Sequence, residues 1–344
     1  VDYQTLAFCS YSCYYYYRQP LANVAVMGGA VTGTFAKIDT DTVQRVSPSG
    51  SLTVQGVGDG AYGLITTGAT DQYIGTSSYG NATTQISAGA GAGAYAAIRS
   101  SGAQTIDVGN TTLAGSSGDA SGVDITAATS QYLTLGSLTM TGGSNRATDA
   151  FVKADTGQTI YAGTTSLLGG TGTSSGTASA YIFNDHGSQY LDLGNLTVRS
   201  GADYAAASIS TLGAGQTLDV GAITLGTTAG TNTLGTSYAT IEHLGTGAQT
   251  VYANGIAVNN QHATGTVGIM SSGAQSITSN GAVSVQTGAA GDAQRFLGVE
   301  LEDLSGPCKS RAAVGPSAPT PPNFRRCGQP ASSPDSRTSA PVPT

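Results

Sequence analysis

Three aspartates, Asp107, Asp192 and Asp219, occupy one equivalent place in a repeated stretch. The three copies read Gln104-Thr105-Ile106-Asp107-Val108-Gly109, Gln189-Tyr190-Leu191-Asp192-Leu193-Gly194 and Gln216-Thr217-Leu218-Asp219-Val220-Gly221. Clustered carboxylates, or carboxylates gathered on one face with Lys and Arg, can do acid–base work on a glycosidic bond. Only Asp192 and Asp219 fall in neighbouring copies, and no Lys or Arg shares their position. They read as a solvated face, so no catalytic residue is assigned and the chain is expected to be non-enzymatic. Metal chemistry finds no better footing. Gly58-Asp59-Gly60, Gly118-Asp119 and Gly291-Asp292 are Gly/Asp turns without the tight nonapeptide repetition of calcium-binding rolls. The four cysteines have no nearby histidine, and His186, His243 and His262 are scattered, so no zinc site or other cofactor is expected. The run Ala88–Ala94 lacks the Gly-Lys-Ser/Thr ending of a phosphate loop. Thr139-x-Thr141 and Thr171-x-Thr173 lie at different places in their repeats, which gives no regular threonine ladder for an ice-binding face.

What must position these residues is the repeat itself. Gln recurs at 44, 72, 104, 131, 158, 189, 216, 249 and 275, with spacings of 28, 32, 27, 27, 31, 27, 33 and 26 residues. A period in this range with variable insertions marks a solenoid. Gly, Ser and Thr saturate the chain, and no window carries a helical period of apolar residues. Alternation within each copy has period two, which reads as strand. After Gln, the inward residues are Ile106 and Val108, Leu133 and Leu135, Leu191 and Leu193, Leu218 and Val220. A Gly at 109, 136, 163, 194 or 221 permits a corner. A second strand follows, with inward pairs Leu138 and Met140, Leu196 and Val198, Ile223 and Leu225, Ile256 and Val258, Val283 and Val285. After a variable Gly/Ser/Thr loop, a third strand points Val123 and Ile125, Tyr181 and Phe183, Ile241 and Ile269 inward. The predicted fold is all-β, a right-handed parallel β-helix of about nine coils of three short strands. Coils about 4.8 Å apart make a rod roughly 40 Å long.

Gln lies in phase with the inward residues, and a buried amide needs a partner. Gln72, Gln104, Gln131, Gln158, Gln189, Gln216, Gln249 and Gln275 are therefore expected to form an amide ladder, each bonding to the copies above and below. A ligand-binding role would need an open groove that a packed coil lacks.

The flanks differ. Residues 1–26 do not match the repeat and are dense in tyrosine, with Tyr14, Tyr15, Tyr16 and Tyr17 next to Cys9 and Cys13. They read as a cap over the first coil edge or as a sticky segment for a partner. The solenoid is expected over 27–301. Residues 302–344 hold nine of the eleven prolines together with Cys308 and Cys327, and should be extended or disordered. Cysteines near both ends, beside an aromatic cluster and a proline-rich arm, point to head-to-tail self-association.

Composition narrows the partners. Charged residues are 10% of the chain, against a usual share of about 25%. Net charge is −7 with 13 Lys plus Arg, which disfavours nucleic acid. No apolar run approaches the roughly 18 residues of a membrane span. No basic n-region precedes the first residues, so no signal peptide is visible, which leaves secretion open.

The pattern Gly-x-Gln-Thr-[Ile/Leu]-x-Val-Gly followed by an alternating strand resembles the β-helical shafts of large secreted bacterial surface proteins. Filamentous-haemagglutinin-type exoproteins and autotransporter passengers are such families, and the resemblance covers roughly residues 44–301. It implies an extracellular or cell-surface rod for adhesion, biofilm or fibre building, with surface glycans or host and matrix surfaces as partners. It supplies no site residues. The alternative is a β-helix that binds or cleaves carbohydrate along an outer face. Binding is expected on the loops Gly169–Gly176 and Gly226–Gly235, because insertions on one face are where solenoids bind.

Overall fold

The computed structural model describes residues 21–297 apart from 69, 76–81, 172–176, 202–203, 229–236, 263–264 and 288–294. Among the described residues there is no helix, and the strands stack as a parallel β-solenoid of about nine coils. They form one sheet of 14 strands and one of 10. The first is called the glutamine sheet and the second the isoleucine sheet, after the residues that run down their inner faces.

In the central coils the first two expected strands are two arms of one bent strand. Gln104–Ala114, Ser130–Thr141, Gly157–Leu168, Ser188–Ser200 and Gly215–Thr227 each run through the corner glycine, where the pairing skips that residue and resumes in register beyond it. The parity of inward residues slips at that corner. Ile106 and Val108 are buried before it and Leu113 after it, as are Leu133, Leu135, Leu138 and Met140 in the next coil. The glycine is needed for room. A Cβ on Gly221 would overlap the carbonyl oxygen of Gly194, the corner glycine of the coil before. The arms separate where Asn254 and Gly255 part Ala248–Ala253 from Ile256–Asn260.

The isoleucine sheet supplies the third strand. Ile38, Ile65, Ile98, Ile125, Val152, Ile182, Ile209, Ile241 and Ile269 pair in register down its inner face. They meet the apolar columns of the bent strands in one continuous core.

Three sequence expectations change. Tyr181 and Phe183 point outward, and Ala180, Ile182 and Asn184 fill the interior. Alanine suits the slender inside of the coil, and Tyr181 instead stacks on Phe151 of the previous coil at 5.1 Å between ring centres. Strand pairing also begins earlier than residue 27, since Leu21–Met27 pairs with Pro48–Gly56. Val285 is exposed at 44%. It lies on Val283–Thr287, the last strand of its arm, with no further described strand beyond it.

One turn recurs two residues before the outermost column of the isoleucine sheet. Gly33, Gly60 and Gly93 hold positive φ there, and Ala120, Ala147 and Tyr204 hold φ of 53°, 52° and 51° in later coils. The left-handed region costs a residue with a Cβ about 1–2 kcal/mol. Glycine offsets part of that gain by its freedom in the unfolded chain. Ala120→Gly and Ala147→Gly should therefore each raise stability by up to about 1 kcal/mol. Chemical denaturation of the two variants checks this, and a loss of stability in both would show the turn is not strained.

Candidate functional site

The glutamine column stands at the start of every bent strand. Each side-chain Nε2 donates to the Oε1 of the preceding copy, from Gln72 on Gln44 through to Gln275 on Gln249. The eight bonds measure 2.5–2.9 Å. A second N–H reaches a main-chain carbonyl of the isoleucine sheet, such as Thr66 at 3.0 Å from Gln44 or Arg99 at 3.1 Å from Gln72. These amides, all buried except the half-buried Gln275, are engaged with protein groups, so the column is a scaffold.

The outer face of the same strands carries the chemistry. Behind the glutamines runs one outward column with Tyr73, Thr105, Tyr132, Thr159, Tyr190, Thr217 and Thr250. Next to it runs a second with Asp107, Thr134, Tyr161, Asp192, Asp219 and Tyr252. Tyrosines alternate between the columns over three coils. Tyr132 and Tyr161 have ring centres 5.6 Å apart, and Tyr161 and Tyr190 are 5.9 Å apart. Tyr132 and Tyr252 are exposed at 46% and 49%. Asp192 and Asp219 are direct register partners, with Tyr161 on one side and Tyr252 on the other. Desolvation, together with the neighbouring carboxylates, holds the Tyr190 phenol above its ordinary value. Asp107 stands apart from the pair, separated by Thr134 and Tyr161. A row of rings beside carboxylate acceptors presents apolar faces with polar tips. The two carboxylates lie on one side of an open sheet. Glycosidic cleavage instead needs two carboxyls flanking the bond.

A concavity lies elsewhere among the described residues. A shallow trough of about 530 Å³ follows the corner at the far end of the bent strands, lined by Gly115, Gly142, Gly170, Leu168, Arg199 and Thr228 among others. Its floor is glycine because coils touch there. A Cβ on Gly170 would overlap the Gly143 carbonyl oxygen, and one on Gly201 that of Gly170. Asp192 and Arg199 share a strand but lie seven residues and a corner apart, so trough and carboxylates do not converge. The expected binding loops Gly169–Gly176 and Gly226–Gly235 border this trough, and their residues 172–176 and 229–235 lie outside the described residues. Cys9, Cys13, Tyr14, Tyr15, Tyr16, Tyr17, Cys308 and Cys327 lie outside them too.

Sequence reading missed a polar knot on the outer face of the isoleucine sheet. Asp124 points outward yet is fully buried. Arg99 clasps it with Nε at 2.9 Å and a terminal guanidinium nitrogen at 2.8 Å, while the Tyr95 hydroxyl donates to it at 2.5 Å. The guanidinium also lies 4.8 Å from the centre of the Tyr95 ring. Burial, then the Asp124 carboxylate, push the Tyr95 phenol well above its ordinary value. Burial and the carboxylates of Asp149 and Asp124 do the same to Tyr181. Burial also raises Asp149, against the pull of its hydrogen bonds from Ser179. These groups hold the sheet surface together and leave no free nucleophile.

No protein-family model, curated protein or solved structure matches the chain.

Two measurements test these assignments. Gln158→Ala removes a donor and an acceptor and strands Gln131 and Gln189, which should cost about 2–6 kcal/mol. Gln275→Ala, with one described neighbour in the column and partial exposure, should cost about half as much. Equal effects in urea unfolding would contradict a cooperative column. The second concerns pH. Tyr95 and Tyr181 stay protonated in the fold to higher pH than in the unfolded chain, where tyrosine ionises near pH 10. Their stabilisation is complete below about pH 10 and declines as pH rises beyond it, because unfolding then releases protons. Unfolding midpoints should fall between about pH 9 and 11, and Tyr95→Phe should flatten that fall.

Proposed function

We propose that this chain is the shaft of an extracellular bacterial surface rod, structural and adhesive, of the filamentous-haemagglutinin or autotransporter-passenger type. The observation that carries this reading is the pairing of one coil's buried polar groups with the next. The Gln44-to-Gln275 column spans nine coils without a break. Such a module transmits load along its axis and leaves long outer faces for contact. Charge is sparse on those faces, so contact relies on rings, hydroxyls and short polar side chains. Head-to-tail self-association follows as a proposal from strand edges at the ends of a stack, which template further pairing.

The Tyr132–Tyr161–Tyr190 row favours a second reading, that the adhesive partner is carbohydrate. Aromatic rings 5.6 and 5.9 Å apart, tilted by 51° and 56° to one another and next to Asp192 and Asp219, suit an extended glycan. Binding fits this arrangement better than cleavage, since the two acids sit on one side of any bound ring.

The test is adsorption of the purified chain to immobilised polysaccharides and matrix surfaces. The wild type is expected to bind, and the triple variant Tyr132→Ala, Tyr161→Ala, Tyr190→Ala to lose most of that binding while keeping its β-rich circular dichroism. Binding unchanged in the triple variant would move the adhesive surface elsewhere. Turnover of a polysaccharide, lost in Asp192→Ala or Asp219→Ala, would displace the structural reading altogether.

A further inference from the structure

One corner of the solenoid gathers metal-binding atoms of two kinds. Asp155 follows the strand Asp149–Ala154, and Asp185 and His186 follow Ala178–Asn184 in the next coil. Stacking brings the two corners together although 31 residues separate Asp155 from His186. The His186 main-chain N–H donates to the Asp155 carbonyl at 2.6 Å, and that of Asp185 to the Ala154 carbonyl at 3.0 Å. Gly187 seals the contact, since a Cβ there would overlap the Thr156 carbonyl oxygen. The backbones under the cluster are therefore fixed.

One ligand atom each from Asp155, Asp185 and His186 lie within 4.8 Å of one another. His186 Nδ1 stands 2.7 Å from Asp155 Oδ1, and Lys153 Nζ stands 2.6 Å from Asp185 Oδ2. The ammonium occupies one oxygen of Asp185 and leaves the other. His186 is 75% exposed on its side chain, so an ion and its waters have access.

We propose that this corner binds a divalent transition-metal ion through Asp155, Asp185 and His186. Zinc accepts imidazole nitrogen and carboxylate oxygen together at about 2.0–2.2 Å, and water completes four-coordination. Calcium and magnesium prefer all-oxygen sets, so the imidazole selects against them. Binding needs the Nδ1 lone pair, so the ion takes the place of the proton shared with Asp155. The site ties two successive coils at their exposed edge. It does not depend on the adhesive reading.

Zinc titration of the full chain, with its four cysteines alkylated, tests the proposal. Calorimetry should show one ion per chain, not displaced by excess calcium. His186→Ala and Asp155→Asn should each weaken it at least about tenfold, since even groups behind the ligands cost that much elsewhere. Lys153→Met, which removes a competing cation, should hold or tighten it. Imidazole resonances supply a readout independent of folding energy. His243 and His262 are buried, so only the His186 ring should shift on adding zinc. Absence of any shift at millimolar zinc, or full affinity in His186→Ala, would overturn the site.

Discussion

A primary amide buried in an apolar coil has to be satisfied by its neighbours, and the partner its oxygen meets is the same amide one coil away. That requirement governs this molecule. Once Gln occupies the first inward position, the next coil must repeat it in register, or its side-chain oxygen is left without a donor. A slip of one residue would set Gln against Tyr or Thr and turn every apolar side chain outward. The apolar columns behind it supply most of the driving force but little discrimination, because leucine, isoleucine and valine interchange readily. The amides thus set register, and the core sets stability.

With register fixed, the coil can vary wherever it does not touch its neighbour. Copies differ by up to seven residues in length, from 26 to 33, and the surplus sits between the two arms in the copy from Gln72 and mostly after the second arm in the copy from Gln216. At the corners the reverse holds. Glycines there touch the backbone of the adjacent coil, so residue type is dictated by clearance and not by turn angle. The trough lined by Gly142 and Gly170 is a by-product of that close stacking.

Coil length, strand parity and the number of coils were legible because they follow from spacing within one copy. The phase of Tyr181 and Phe183 was not. Alternation there runs Ala180, Tyr181, Ile182, Phe183, with apolar residues on both faces, so period alone cannot choose which face is inside. The deciding fact is volume, since a slender coil accepts Ala180 and Ile182 and rejects the rings. The Arg99–Asp124–Tyr95 knot was also out of reach. Its members lie 25 and 29 residues apart and meet only once two coils are aligned to the residue. The same holds for Asp155 and His186. Both lie three residues before a column glutamine, Gln158 and Gln189, so counting does superimpose them, but an aspartate in one copy and a histidine in the next make no repeated signature.

The glutamine column has a sense. All eight amide bonds run the same way, N–H of the later coil to C=O of the earlier, so their dipoles add along the axis. Among the described residues the column stops at Gln275 on a carbonyl acceptor and at Gln44 on an N–H donor group that turns to the main-chain carbonyls of Ile38 and Thr66. Two such solenoids meeting through like ends would bring acceptor to acceptor or donor to donor. A twofold arrangement leaves the column broken at the join, and only a translation along the axis lets it continue. The arrow built into one side chain per coil therefore distinguishes front from back for anything that extends the stack.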